Sequence, residues 1–245
     1  MTSCSADVLS SALLHNHLEF LRTHRGEVTR EHGLWRCISD KPSFCFAILT
    51  EADDFALAAG RDETLYIPGW LDVPSEVAVQ YRRSHVLNYM FLESQQVASD
   101  EERSIRQATD ADAMEDFALA QARGFLEEED KFADWMPWLR DADMRNLANA
   151  RQEFFVQYDG TQPVACALSV YDSSFAGVYA VATVPTHRRQ GRALSLLRHA
   201  ITKARARGVS FIGLQTVAGS AAETLYSGAG FQSLFEMQIF TRAAG

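Results

Sequence analysis

The chain has 245 residues, which corresponds to one large domain or two small ones, since a domain typically has about 150 residues. Hydrophobic residues make up 47% and charged residues 22%, a globular composition that excludes a disordered chain, a collagen-like repeat and a coiled coil. The formal net charge of −9 argues against a nucleic-acid partner, because proteins that bind phosphates of nucleic acids usually carry a basic excess.

The N-terminal hundred residues predict one helix followed by several strands. Leu14, Leu18 and Leu21 recur at the spacing of one apolar helix face. Three apolar runs predict buried strands, at residues 44–49, 65–68 and 86–92. The polar run at residues 97–102 is the predicted linker. We therefore predict a first domain at residues 1–98 with both helix and strand.

The remaining residues alternate between strand and helix and predict a mixed α/β domain at residues 103–245. The predicted strands are 104–108, 153–158, 163–171, 178–184, 209–215 and 234–240. The predicted helices are 110–124, 127–140 with a break at Pro137, 189–207 with Gly208 at its end, and 221–229. This order predicts a mixed sheet covered by helices.

The cysteines and the N-terminus predict a cytoplasmic protein. Cys4, Cys37, Cys45 and Cys166 form no CxxC pair and no Cys/His cluster, so we expect reduced thiols and no metal. The N-terminus has no basic segment followed by an apolar run, and no stretch approaches the roughly 18 apolar residues of a membrane span. We expect neither a membrane partner nor a nucleic-acid partner.

Charge is distributed unevenly along the chain. Residues 100–134 contain 12 acids, whereas residues 173–222 contain none and carry seven bases instead. The bases are Arg188, Arg189, Arg192, Arg198, Lys203, Arg205 and Arg207. Two solvated helix faces of opposite sign would account for this pattern. The alternative is that the basic stretch binds an anionic ligand.

Residues 178–193 support an anionic ligand, because a predicted strand ends in a turn that opens a helix. A helix N-terminus offers amide N–H groups without intrahelical partners and a partial positive charge. The small residues Gly191 and Ala193 allow close approach of a phosphate oxygen, and the neighbouring arginines add charge-assisted contacts. The segment therefore predicts a pyrophosphate site. The motifs of the P-loop and of the dinucleotide-binding fold are both absent from the sequence.

Two motifs together resemble the GNAT N-acetyltransferase superfamily. The pattern R-x-x-G-x-A from Arg188 to Ala193 resembles motif A of that family. The segment 222–231, with the pattern A-x-x-L-Y-x-x-x-G-F, resembles a second element of the family, and a predicted strand lies between the two. The resemblance covers residues 104–242. It implies a GNAT-like acyltransferase fold with an extra N-terminal α/β domain, for which a degenerate copy of half the same fold is one interpretation.

The resemblance also implies an acyl-CoA donor, with acetyl-CoA as the expected co-substrate. In this family CoA lies where two parallel strands diverge, here residues 178–184 and 209–215. The backbone of Ala182 and Val184 would hydrogen-bond the pantetheine arm. The residues expected at the pyrophosphate are Arg188, Arg189, Gln190, Gly191, Arg192 and Ala193. Ser220 stands near the position where many relatives have an asparagine that helps to bind CoA. The chain departs from the family there, and the serine hydroxyl could partly replace the asparagine.

Tyr226 occupies the position at which the family usually has its general acid. A phenol suits this role because its reference pKa, near 10, lies above that of a thiol. A buried aromatic with a satisfied hydroxyl is the alternative for Tyr226. The predicted strand at 178–184 contains no acid that could serve as the general base. Candidates for that base are Glu153, Asp172 and His187, and the family chemistry also proceeds without a dedicated base.

The expected reaction is acetyl transfer to the amine of a small molecule. In the family that the chain resembles, the first two helices usually line the acceptor side. Here they carry the acidic cluster that includes Glu127, Glu128, Glu129 and Asp130, which favours a cationic or polyamine-like amine. Trp135 and Trp138 could form an aromatic wall there, with core packing as the alternative. Other interpretations stay open: a longer or carrier-protein-bound acyl donor, a peptide acceptor, and a non-catalytic acyl-CoA-binding module. A homodimer is likewise left open.

Overall fold

The computed structural model describes residues 5–58, 63–93, 104–126, 128–172 and 174–243. The predicted linker at 97–102, Cys4 and Glu127 lie outside these residues. The chain divides into two units: Met1–Phe91 with Gln215–Gly245, which we call unit 1, and Leu92–Leu214, which we call unit 2. This division follows spatial contacts, whereas the predicted domains 1–98 and 103–245 follow sequence motifs, so those domain bounds stay a prediction.

Helices and strands alternate along the described residues. The helices are α1 Ala6–His24, α2 Phe55–Ala58, α3 Ser75–Gln80, α4 Ala111–Phe125, α5 Glu129–Arg145, α6 Arg192–Ala206 and α7 Ala221–Gly228. The strands are β1 Glu27–Glu31, β2 Leu34–Ile38, β3 Phe46–Leu49, β4 Thr64–Pro68, β5 Tyr81–Glu93, β6 Ile105–Gln107, β7 Gln152–Asp159, β8 Gln162–Asp172, β9 Phe175–Thr183, β10 Phe211–Val217 and β11 Gln232–Arg242. None of these helices is long and apolar enough to cross a membrane.

Unit 1 contains strands in the order β1-β2-β3-β4-β11-β5. The β3–β4 pair is parallel, and the other pairs in this order are antiparallel. The predicted helix is confirmed as α1, whose Leu14, Leu18 and Leu21 are buried. The β1–β2 hairpin was not predicted, because its first strand, Glu-Val-Thr-Arg-Glu, is solvent-exposed and lacks the alternation of a half-buried strand.

Unit 2 contains strands in the order β10-β9-β8-β7-β6. Pairing is antiparallel from β6 to β9, and β9 is parallel to β10. Helices α4 and α6 pack on β8 and β9. Their buried faces include Phe117 of α4 and Leu197 of α6, whereas charged side chains lie on the exposed sides. The predicted mixed α/β class is thereby confirmed.

The two units share an order of connections. In unit 1, helix α1 precedes the antiparallel strands β1, β2 and β3, and α2 then leads to the parallel strand β4. In unit 2, helices α4 and α5 precede β7, β8 and β9, and α6 leads to the parallel strand β10. Helix α2 has 4 residues and α6 has 15. This shared order supports the interpretation of a degenerate half-copy, which stays a prediction.

Two predicted helix boundaries were wrong. Helix α5 continues through Pro137 to Arg145, because Leu139 and Ala142 beyond the proline are buried and their packing outweighs the lost backbone hydrogen bond. Helix α6 begins at Arg192 and not at residue 189. Two residues shortly before it, Arg189 and Gly191, have φ angles of 61° and 78°, which no right-handed helix accommodates.

Candidate functional site

The ladder between β9 and β10 is short, and we call the edge of β9 beyond its last pair the wedge. The two strands pair at Phe211↔Phe175, Ile212↔Ala176 and Gly213↔Gly177, and their ladder ends there. Strand β9 continues to Thr183 while it stays paired with β8 on its other side. The edge of β9 that faces β10 is therefore available beyond Gly177 for an extended ligand that bonds like a strand.

A β-bulge in β9 lies inside this wedge. Between the pairs Leu168↔Tyr179 and Cys166↔Ala182, β9 advances three residues while β8 advances two. Ala180, at the bulge, has a φ of 51°, which is uncommon for a residue with a side chain. Bulges and such strained residues cluster at functional sites, where they redirect a strand. No sequence pattern indicates this bulge, because the strained residue is an alanine and not a glycine.

The backbone register of β9 places Ala182 and Val184 toward β8. Val184 donates its N–H to the Val164 carbonyl at 2.9 Å, and Ala182, two residues earlier, pairs with Cys166 of β8. Because hydrogen-bonding groups alternate along a strand, Thr183 directs its backbone groups to the opposite edge. This register favours Thr183 over the predicted Ala182 and Val184 as the backbone contact for a pantetheine arm.

The turn between β9 and α6 combines two left-handed residues with an uncapped helix start. Arg189 and Gly191 both have positive φ, and Gly191 is the N-cap of α6. No side chain caps this end, whereas Asp110 caps α4 and Ser220 caps α7. The amides of the first turn are therefore left for another acceptor, and backbone N–H groups in such a turn form a concave anion site.

The three arginines of this turn have different surroundings. Arg188 donates from Nη2 to the Gly124 carbonyl at 2.9 Å and from Nε to the Thr183 carbonyl at 3.2 Å. Arg192 lies 3.8 Å from an Asp159 carboxylate oxygen. Arg189 is exposed, and its guanidinium makes no hydrogen bond or ion pair with the part of the chain that the structure describes. Arg189 is therefore the cation best placed to reach an anion outside the protein.

We expect Arg189→Ala to weaken CoA binding more than Arg188→Ala does. Loss of a charge-assisted phosphate contact should raise the CoA dissociation constant by roughly 10- to 100-fold for Arg189→Ala, since such a bond contributes about 1.5–3 kcal/mol. Arg188→Ala removes contacts with protein carbonyls and should change it less than Arg189→Ala. Calorimetric titration of both variants compares the two. A larger loss for Arg188→Ala would contradict this assignment.

Tyr226 and Ser220 both belong to α7 and its cap, in unit 1. The Tyr226 side chain is buried and packs against Phe231 with ring centroids 6.2 Å apart. Burial raises the pKa of Tyr226 to about 12, so the phenol keeps its proton at neutral pH. The Ser220 hydroxyl accepts the Glu223 N–H at 3.2 Å, which is a helix-cap role. A CoA contact of Ser220 and the acid role of Tyr226 stay predictions.

The structure gives two of the three candidate bases other surroundings. Both carboxylate oxygens of Glu153 are occupied: Tyr171 donates its hydroxyl at 2.6 Å, and Arg207 donates from Nη2 at 2.8 Å. Asp172 pairs with Phe175 at the far end of β9 from Thr183. His187 lies in the turn between β9 and α6, with its Nε2 3.5 Å from an Asp159 oxygen. These surroundings do not assign the role of general base to any of the three residues.

The acidic segment at the start of α5 is partly neutralised by its neighbours. Glu128 accepts from Lys131 at 2.6 Å, and Glu129 accepts from Arg123 at 2.9 Å. Trp135 and Trp138 contact each other edge to face at 5.7 Å between centroids. These pairs account for two of the acids without a ligand, so a cationic acceptor stays a prediction.

Comparison with known proteins agrees with this geometry. Residues 111–231 match the model of the Acetyltransferase (GNAT) family. A GCN5-related N-acetyltransferase from Kribbella flavida has a similar structure, with a TM-score of 0.67, 14% identity and coverage of 96% of each chain. An acetyltransferase of the GNAT family from Novosphingobium aromaticivorans has a TM-score of 0.59 and 19% identity, covering 89% of this chain and 92% of that one. None of the curated proteins compared with the chain matches it.

Proposed function

We propose that this chain, which belongs to the GNAT acetyltransferase family through residues 111–231, transfers an acetyl group from acetyl-CoA to the amine of a small molecule. Family membership itself supports acyl transfer from acyl-CoA. The observation that carries the proposal is the wedge that opens after Gly177 and Gly213 and leads to the uncapped N-terminus of α6. An extended arm that ends in a pyrophosphate fits this combination.

The described residues suit the two ends of such a donor. Thr183 would bond the pantetheine arm along the β9 edge, while the amides from Arg189 to Ala193 would bind the pyrophosphate. The strained Ala180 lies at the bulge of β9, between Thr183 and the last β9–β10 pair at Gly177. We expect no metal in this reaction, because the amine attacks the thioester directly.

The chemistry requires attack, charge stabilisation and one proton transfer. The neutral amine nitrogen forms a bond to the thioester carbonyl carbon, and negative charge develops on the carbonyl oxygen. As the intermediate collapses, the carbon–sulfur bond breaks and the CoA thiolate leaves. Tyr226 would donate its phenolic proton to that sulfur, and the proton lost by the amine leaves through water or a base not yet assigned.

Calorimetric titration with CoA, acetyl-CoA and longer acyl-CoAs tests the donor. We expect micromolar binding of CoA and acetyl-CoA, and a screen of small amines with acetyl-CoA should then give CoA release. Tighter binding of a longer acyl-CoA would replace acetyl by that acyl group. Binding without turnover on any amine or peptide would favour the non-catalytic module. No binding of any CoA ester would contradict the proposal and point to a carrier-protein donor.

A further inference from the structure

A chain of side-chain hydrogen bonds in unit 1 ends at the helix that carries Tyr226. Ser233 of β11 donates its hydroxyl to Asn88 Oδ1 at 2.8 Å, and Asn88 of β5 donates from Nδ2 to Glu223 Oε1 at 2.6 Å. The other oxygen of Glu223 accepts the Gly219 N–H at 2.6 Å. Asn88 is 5% exposed, so its two bonds are partly shielded from water. The network thus ties β11, β5 and α7 together.

The direction of each bond follows from the chemistry of its partners. An ionised carboxylate only accepts, so Asn88 must turn its amide nitrogen toward Glu223. The amide oxygen of Asn88 then faces Ser233, whose hydroxyl donates to it. The two hydrogen bonds hold the pKa of Glu223 below its usual value, so the carboxylate stays ionised at neutral pH. With Glu223 ionised, only this orientation of the Asn88 amide gives the carboxylate a donor.

Helix α7 depends on this network for its orientation. It has 8 residues, a length at which an isolated helix is unstable in water. Its first turn is held by the Ser220 cap and by Glu223, which reaches back to the Gly219 amide in a variant of the capping box. Tyr226 follows Glu223 by three residues, on the next turn of the same helix. A rotation of the first turn would therefore displace the Tyr226 hydroxyl.

We propose that Asn88 and Glu223 are positioning residues for acyl transfer, because they fix the rotation of α7 and hence the place of the Tyr226 hydroxyl. This inference rests on the proposed function and extends it by giving the N-terminal segment of the chain a role in the reaction. Asn88 belongs to β5, far in sequence from either motif. The N-terminal residues would then act on catalysis without touching the acyl group.

A reciprocal exchange of the two side chains tests this role. Asn88→Asp places a second carboxylate against Glu223. Glu223→Gln removes the charge, and its bond to Asn88 forms again only if the Asn88 amide turns over and the Ser233 hydroxyl accepts instead of donating. The double variant Asn88→Asp/Glu223→Gln restores every bond. Its new aspartate accepts from Ser233 and from the new glutamine, whose amide oxygen accepts the Gly219 N–H. The net charge is that of the natural chain. Thr224→Ala, on the same turn but outside the network, is the matched control.

The variants are compared by turnover of acetyl-CoA with the amine that ranks first in the screen, by melting temperature, and by amide hydrogen exchange at residues 225–227. Asn88→Asp should lower kcat by roughly 10- to 100-fold, as expected for a displaced catalytic group, and Glu223→Gln should lower it less, because a reversed network is open to it. The double variant should recover kcat to within about threefold of the natural chain, because the paired changes compensate each other. Thr224→Ala should leave kcat unchanged.

Two results would overturn the inference: single variants that keep full kcat, or a double variant that regains its melting temperature but not kcat. A chain that binds no CoA contradicts the proposed function instead. In that event hydrogen exchange decides whether the network holds α7. Faster exchange at 225–227 in both single variants, reversed in the double variant, supports that hold, and unchanged exchange rejects it.

Discussion

Tyr226→Phe is expected to lower kcat by about 10²- to 10⁴-fold, the usual contribution of a positioned general acid. Phenylalanine keeps the ring that packs against Phe231, so the change removes only the hydroxyl. The dissociation constant of CoA should stay within about threefold, because the phenol acts on the sulfur as it leaves and not on the bound ground state. Steady-state kinetics and calorimetric titration together measure the two effects.

The dependence of kcat on pH is a second test of the acid role of Tyr226. The acid must be protonated, and burial raises the pKa of Tyr226 to about 12, so its acid form is present at every pH below that value. We therefore expect no fall of kcat from this phenol up to about pH 10.

Tyr158→Phe removes the hydroxyl bonded to Asp116 and serves as the control for Tyr226→Phe. Equal kcat in Tyr226→Phe and the natural chain would reject the acid role.

The sequence predicted the elements with strong local signals. The apolar face of α1, the helix predicted at residues 110–124, and the strand, turn and helix around Gly191 are all found in the structure. Gly208 was predicted at the end of α6, and it has the positive φ of 77° that suits a helix C-terminus. These features depend on residues close in sequence, so periodicity and capping chemistry identify them.

Features that depend on distant residues escaped prediction. The first strand of the β1–β2 hairpin is exposed, so no hydrophobic period marks it. The register that turns Ala182 and Val184 toward β8 is fixed by pairing with a separate strand, and a shift of one residue reverses the assignment. The bond between Asn88 and Glu223 spans 135 residues. The motif predicts Tyr226 as the acid, but single-sequence reasoning had no means of finding the bond that ties its helix to β5.

Gly191→Asp is expected to weaken CoA binding by at least about 100-fold, since a like charge placed against an anion costs several kcal/mol. A Cβ added at Gly191 meets no protein atom within 4 Å, so the new side chain would occupy the space beside the amides of α6. That space is where the pyrophosphate is proposed to bind. Aspartate tolerates positive φ better than most residues, which limits the backbone strain.

Gly208→Asp supplies a control on the same helix. Gly208 has a φ of 77°, against 78° at Gly191, and a Cβ added there also meets no atom within 4 Å. Both variants therefore carry a similar backbone strain, and both gain one negative charge. Only Gly191 lies at the N-terminus of α6, whereas Gly208 lies beyond its C-terminus. Selective loss of CoA binding in Gly191→Asp would support the pyrophosphate site, and equal binding by both variants would place the donor elsewhere.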